Sequence, residues 1–247
     1  MRRFQNKLIL VSGASSGIGM ATAQKLAREG ARIVGVGRDI ERLQKALNTF
    51  EGSNHHAIAA DVGEESQIDS IIKFGQAQGG YHGGVCCAGM HEFRPLFLLK
   101  SDHLLKSYHS NVLTAMHCLK AVTKAASPDG ASIVWLSSVA AIRGTAGFAA
   151  YSISKGALIA GAKVAAVELA KKKIRINTIV AGVIDTAMSE GWMKLCTQAQ
   201  REEISRNHLL GIGKPENVAD AIGFLLSSDA QWITGTTLVV DGGLSAH

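Results

Sequence analysis

Tyr151 and Lys155 stand four residues apart near the start of an alanine-rich run over 149–170, and Ser138 precedes Tyr151 by thirteen residues. On a helix this i, i+4 spacing puts both side chains on one face, a turn apart. A phenol beside a fixed ammonium is suited to acid–base work, because the positive charge favours phenolate and lowers a pKa that is otherwise about 10. Ser138 ends an apolar run, from which its hydroxyl can turn towards the same space. Each signal is common by itself. Most Tyr and Lys pairs at this spacing are surface neighbours, and Ser137-Ser138 is ordinary loop composition. The three gain meaning when other elements bring a reactive partner to them.

The chain near its N-terminus supplies such a partner. Leu8 to Ser12 is a short apolar run, followed by Gly13, Gly17 and Gly19 and then a helical pattern from Ile18 to Arg28. Glycine lets the backbone approach a pyrophosphate, and a helix start offers free N–H groups and the positive end of its dipole. A ligand-free turn can use the same glycines, but the strand–turn–helix context favours a dinucleotide, with Ser15, Ser16 and Ile18 in the same turn. No Gly-Lys-Ser/Thr follows, which argues against a triphosphate loop. The second strand pattern ends in Gly37-Arg38, where an acid would bind a ribose 2′-hydroxyl and select NAD(H). A guanidinium suits a 2′-phosphate instead, which favours NADP(H) and leaves NAD(H) as the alternative. The plain reading of Arg38 is a solvated residue ahead of Asp39, a helix cap. Asp61 and Val62 close a third strand, where they either bind and pack an adenine or simply form a turn. Asn111 is a poor helix former inside a helical pattern. It is either locally bonded at the surface or buried, ordering a kink and a water.

The elements that must position these residues alternate. Strand patterns at 8–12, 31–37, 56–60, 84–88, 131–137, 174–180 and 236–240 are separated by helical ones at 18–28, 38–50, 64–78, 101–126, 149–170 and 215–227. Pro215 opens the last helix, a position where proline is well tolerated. The stretch 186–210 is polar and irregular, with helical pieces. Connections are short and no linker interrupts them. The pattern predicts a single α/β domain over 1–247, with a doubly wound, mostly parallel seven-stranded sheet and helices on both faces. Ligands of such sheets bind at the carboxyl ends of the strands, near the switch in strand order. Gly13, Gly19, Asp61, Gly89 and Ser138 all fall at strand ends.

Composition narrows the function classes. The 247 residues are 47% hydrophobic and 19% charged, ordinary for a globular protein. No apolar run reaches the ~18 residues of a membrane span, and the N-terminus leads straight into a strand pattern without the apolar segment of a signal peptide. Cys86, Cys87, Cys118 and Cys196 have neither zinc-type spacing nor a disulfide framework, so no metal site is expected and a reducing cytoplasm is. The formal charge of +6 is spread out. Its one cluster, Lys171 to Lys173 with Arg175, falls where a helix ends, which suits the helix dipole. With no basic stripe or recognition motif, nucleic acid is not an expected partner.

The chain resembles the short-chain dehydrogenase/reductase family over about residues 5 to 243. The resemblance rests on Gly13, Gly17 and Gly19, on Asp61, Ala88-Gly89, Asn111, Ser138, Tyr151 with Lys155, Gly182, and Asp241-Gly242-Gly243, in order and at family spacing. It implies a single-domain Rossmann fold and an NAD(P)-dependent oxidoreductase of ketones and secondary alcohols, usually a homotetramer. Tyr151 resembles the family's general acid in reduction and base in oxidation, and Ser138 its hydrogen-bond donor to the carbonyl oxygen. Lys155 would hold the nicotinamide ribose and lower the Tyr151 pKa, and Asn111 would position a water for a proton relay. Gly182, Ile184 and Thr186 complete the implied cofactor contacts, with a substrate lid at about 183–212. A catalytically silent, cofactor-sensing protein on this fold is the alternative of another class, and the complete set of four catalytic residues speaks against it.

Three residues depart from the family pattern. Cys86-Cys87 replaces Asn-Asn before Ala88-Gly89. Ala181 replaces a proline before Gly182, so a less rigid loop is expected there. Ser12 replaces a threonine and keeps the hydroxyl. Length and the ending Val239-Val240-Asp241-Gly242-Gly243 are most similar to 3-oxoacyl-[acyl-carrier-protein] reductases and relatives, which implies a small carbonyl or alcohol substrate carried as a thioester. A sugar, polyol or cyclic ketone is the alternative. Lys171 to Lys173 and Arg175 are candidate contacts for an acidic carrier, whereas Ser127-Pro128-Asp129-Gly130 offers no cation. Candidate substrate residues are His91, Phe93, Arg143, Phe148, Met188, Trp192 and Met193, with Arg143 expected to pair with a carboxylate or phosphate. Simple packing of the lid is the plain reading for several of them.

Overall fold

Seven short strands form one sheet in the computed structural model, which describes residues 2–246: β1 (Leu8–Ser12), β2 (Arg32–Gly37), β3 (His56–Ala59), β4 (Gly83–Cys86), β5 (Ala131–Ser138), β6 (Ile174–Ala181) and β7 (Thr237–Val240). Between them run helices α1 (Gly17–Arg28), α2 (Ile40–Leu47), α3 (Ile68–Ala77), α4 (Ser101–Tyr108), α5 (Thr114–Lys124), α6 (Ala149–Leu169), α7 (Ala187–Met193), α8 (Gln198–Asn207) and α9 (Pro215–Leu226). The strand order is β3-β2-β1-β4-β5-β6-β7, and every neighbouring pair is parallel. Parallel strands need crossovers that cover both faces of a sheet, which is why the central strands read as unbroken apolar runs. All five residues of β1 are buried, as are all of β5 except Ser138.

Alternate residues of a strand still point to opposite faces. Leu8 and Leu10 join one core with Ile71, Val122, Trp135 and Leu158, beneath α3, α5 and α6. Ile9 and Val11 join the other with Leu26, Leu43, Val134 and Ile222, beneath α1, α2 and α9. From β1 the chain builds outward to β3, then returns to β4 on the other side of β1. The connections part at that point, above the register partners Ser12 and Cys86. A crevice at this switch is what the doubly wound fold provides for a ligand.

Local differences from the sequence pattern have physical causes. The helix expected over 101–126 forms as α4 and α5, joined by a wider π turn over His109–Leu113. Such turns insert a residue into the helical ladder, often at functional positions. Asn111 sits in this one and turns inward. Helix α2 begins at Ile40 rather than Arg38, because Asp39 caps it by accepting from the Arg42 amide at 2.9 Å. Strand β5 runs one residue further than expected, to Ser138, paired with Ala181 of β6. Among the described residues, no helix is long and apolar enough to cross a membrane.

Candidate active site

A cleft of about 1140 Å³ opens at the carboxyl ends of the central strands. Its walls include Gly13, Ser15, Ser16, Gly17, Ile18 and Gly19, with Arg38, Asp61, Val62, Ala88 and Gly89 nearby. Gly182, Ile184 and Thr186 line it from the β6 side, and Ser138, Tyr151 and Lys155 from β5 and α6. His91, Phe93, Arg143, Phe148, Met188 and Trp192 complete the wall, whereas Asn111 lies behind it and Met193 is not part of it.

The glycine turn fits a pyrophosphate. Gly13 and Gly17 hold φ of 73° and 52°, in the left-handed region. A Cβ on Gly19 would lie 2.3 Å from the Gly13 carbonyl oxygen, so only glycine lets α1 start so close to the turn. The first turn of α1 contains no acid and the Ser16 side chain makes no capping bond, which leaves its N–H groups open to an anion. Thr186 packs against the same turn, with its Cγ2 3.3 Å from where a Gly17 Cβ would be. At the far end, nothing lies within 4 Å of a Cβ built on Gly37, and Arg38 is exposed beside that space. Arg42 lines the cleft as well. The sequence reading missed it, since an arginine on a helix surface looks solvated until the Asp39 cap fixes where that helix starts. Asp61 makes the turn its position suggests, accepting from the Gly63 amide at 2.9 Å, and lines the cleft as well.

The chemistry-bearing trio meets where β5 ends and α6 begins. Ser138 Oγ accepts from the Ala140 amide at 3.2 Å, which starts the next turn, and its hydroxyl is the polar neighbour of the buried Tyr151 hydroxyl. Lys155 is buried at 4% exposure; its Nζ donates to the Leu136 carbonyl at 2.7 Å and lies 5.7 Å from the Tyr151 ring centroid. Ser137 Oγ donates to the Lys155 carbonyl at 2.8 Å and pins α6 to β5.

Their electrostatics differ from the sequence expectation. Burial holds Tyr151 above the ordinary phenol range, and the neighbouring Ser138 hydroxyl offsets this only in part. Lys155 does not bring the phenol down: its ammonium sits against the ring and is engaged with Leu136, and burial lowers its own pKa to about 8. Tyr151 therefore keeps its proton at neutral pH, the state a proton donor needs. Burial also pushes Cys86 well up and Cys87 to about 12, so both are neutral thiols beside Lys155.

Asn111 knits the back of the cleft. Its amide nitrogen donates to Met90 O at 3.0 Å, Ser154 Oγ at 2.9 Å and Ser107 Oγ at 3.3 Å, and its oxygen accepts from Met90 N at 2.9 Å. A Cβ on Gly89 would lie 2.5 Å from that oxygen. One sequence expectation is narrowed and another fails. Arg143 has its Nη1 donated to Leu244 O at 2.7 Å, which ties the loop after β5 to the C-terminal segment instead of leaving the whole fork for an anion. Lys171 to Lys173 and Arg175 stand at the amino end of β6, the opposite end of the sheet from the cleft. Arg175 there donates to the carbonyls of Ile233, Leu225 and Ser227. His208, which the sequence reading missed, is buried in the cleft wall, with Nδ1 2.7 Å from Ile204 O and Nε2 accepting from Val183 N at 3.1 Å. It anchors the loop after Ala181 that the missing proline was expected to loosen.

A family model described as enoyl-(acyl carrier protein) reductase matches residues 13–245. The chain belongs to the short-chain dehydrogenase/reductase family. Among curated family members, it is 35% identical to the 3-oxoacyl-[acyl-carrier-protein] reductase of Mus musculus, over 97% of this chain and 98% of that one. It is 34% identical to carbonyl reductase family member 4 of Danio rerio, with the same coverage of both chains. Dehydrogenase/reductase SDR family member 4 of Homo sapiens is 32% identical over 96% of this chain and 87% of its own. Solved family structures agree. A short-chain type dehydrogenase/reductase from Mycobacterium ulcerans superposes with a TM-score of 0.90 at 29% identity, covering 98% of this chain and 90% of that one. The ligand-free aldohexose dehydrogenase of Thermoplasma acidophilum gives 0.86, also at 29%, covering 98% and 95%. Membership makes the chain a short-chain dehydrogenase/reductase enzyme on a Rossmann fold.

Proposed function

We propose that the protein is an NADP(H)-dependent oxidoreductase that interconverts a ketone and a secondary alcohol, with Tyr151 as general acid in reduction and general base in oxidation. The observation that carries this reading is the placement of Ser138, Tyr151 and Lys155 together in the wall of one cleft, with the glycine turn at the start of α1 lining the same cleft. When bound, the nicotinamide cofactor supplies or accepts the hydride. The turn of Gly13, Ser15, Ser16, Gly17, Ile18 and Gly19 holds the pyrophosphate at the start of α1. Arg38, with Arg42 beside it, holds the 2′-phosphate, and Asp61 and Val62 hold the adenine. Ala88, Gly89, Gly182, Ile184 and Thr186 enclose the nicotinamide half, and Lys155 offers its remaining N–H groups to the ribose. Ser138 orients the carbonyl oxygen, Tyr151 delivers its proton to that oxygen, and Asn111 orders the turn through which a proton is resupplied. The segment 183–212 serves as a lid over the cleft.

The relatives named 3-oxoacyl-[acyl-carrier-protein] reductase support a 3-oxoacyl thioester as substrate, and the aldohexose dehydrogenase fold match supports a polar cyclic one. Apolar side chains exposed on α4, α5 and α6, including Leu105, Tyr108, Met116, Ile153 and Val167, support burial of those faces in a homotetramer. Cysteines that are all free support a cytoplasmic protein. The test is NADPH consumption screened over 3-oxoacyl thioesters, sugar ketones, quinones and cyclic ketones. At least one should be reduced; NADPH binding with no turnover across the panel would instead establish a cofactor-sensing protein.

A further inference from the structure

The wall beside the Tyr151 hydroxyl is built from rings. Phe148, buried in front of α6, is the hub. His91 stacks on it at 5.9 Å between centroids and 10° between planes, and Phe93 meets it edge-on at 5.8 Å. Trp192 of α7 meets it edge-on at 5.7 Å, and Tyr151 itself at 6.2 Å. His91 also stands edge-on to the Tyr151 ring at 6.1 Å. These rings come from four separate places: the loop after β4, the loop before α6, α6 and α7. All five line the cleft.

The chemistry of that wall is specific. Burial lowers the His91 pKa, so its imidazole stands as a neutral flat ring rather than a cation. A sugar seated here would lose water from several hydroxyls and find few partners in return. An alkyl chain would gain burial only. An aryl group would gain burial and, in addition, the face and edge contacts that pairs of rings prefer at these separations.

Resting on the proton-donor reading of Tyr151, we propose that His91, Phe148 and Trp192 form a subsite for a planar aryl group, so that among ketones the site favours those whose carbonyl is attached directly to an aromatic ring. With the ring on this wall, the carbonyl oxygen reaches Ser138 and Tyr151. The carbonyl carbon takes a hydride from the nicotinamide cofactor and its oxygen takes the Tyr151 proton, so the ketone leaves as a secondary alcohol and the cofactor in its oxidised form.

The test compares acetophenone with cyclohexyl methyl ketone, its saturated counterpart of equal carbon count. Dissociation constants are measured by calorimetry on Tyr151→Phe protein saturated with NADPH, where binding is read without turnover. Acetophenone should bind at least tenfold tighter. Trp192→Leu and His91→Leu, both at partly exposed positions, should each reduce that ratio at least threefold while changing cyclohexyl methyl ketone less than twofold. Equal binding of the two ketones, no binding of either, or a preference unaltered in both variants would overturn the subsite. The parent reading fails differently: if acetophenone binds as expected yet wild-type enzyme with NADPH reduces no ketone, the aryl subsite stands and the assignment of Tyr151 chemistry falls.

Discussion

A tyrosine and a lysine one helical turn apart suggest opposite protonation states depending on how deeply they are buried. In sequence the pair suggests a lowered phenol; in the structure burial dominates both groups, raising Tyr151 and bringing Lys155 to about 8. The lysine shift has a thermodynamic signature. Its folded pKa lies below the unfolded value of about 10.5, so between about pH 8 and 10 the unfolded chain holds the extra proton. Stability contributed by this group therefore rises with pH across that window. Urea unfolding of wild type and Lys155→Met at pH 7 and pH 9.5 should show wild type gaining on the variant at the higher pH; a constant difference would contradict the shift. Arg38 carries a second residue-scale claim. Arg38→Ala should lower the ratio of NADPH to NADH affinity at least tenfold by fluorescence titration, and an unchanged ratio would remove the 2′-phosphate assignment. The types and order of Ser138, Tyr151, Lys155 and the three glycines were legible in sequence. What Arg143 touches was not, because its partner Leu244 is 101 residues away.

Elements place these residues through contacts that local patterns do not encode. The π turn at His109–Leu113 follows from the bonds Asn111 makes to Met90, Ser107 and Ser154, and no helical periodicity announces it. The loop after β6 is a second case. Ala181 in place of the family proline suggested looseness, but the Gly182 amide donates to Val240 O at 3.1 Å and the Val183 amide to His208 at 3.1 Å. His208 also reaches back to Ile204 near the end of α8, so one buried imidazole ties the start of the segment 183–212 to its later part. His208→Leu should speed hydrogen exchange at Val183 at least tenfold and weaken NADPH binding. Unchanged exchange at that amide would show that the loop is held by other means.

At the scale of the molecule, the alternation of short apolar runs with helical patterns was enough to give the parallel sheet, its two covering layers and the end at which the cleft opens. The same alternation says nothing of which helix faces stay uncovered. Ile153, Val164 and Val167 leave one side of α6 apolar and exposed, more than a solvated helix keeps without a partner. Light scattering should give a mass near four times the 26.0 kDa of one chain, and Val167→Glu should lower it; a monomer in the wild type would contradict assembly through this face. The central claim concerns what the whole fold delivers to one hydroxyl. Its most direct test is kcat/KM for NADPH-dependent reduction of the best ketone by wild type and Tyr151→Phe, with NADPH affinity measured in parallel. A loss of at least a thousandfold in kcat/KM, with NADPH binding within threefold of wild type, is predicted; reduction that survives undiminished in Tyr151→Phe would contradict it.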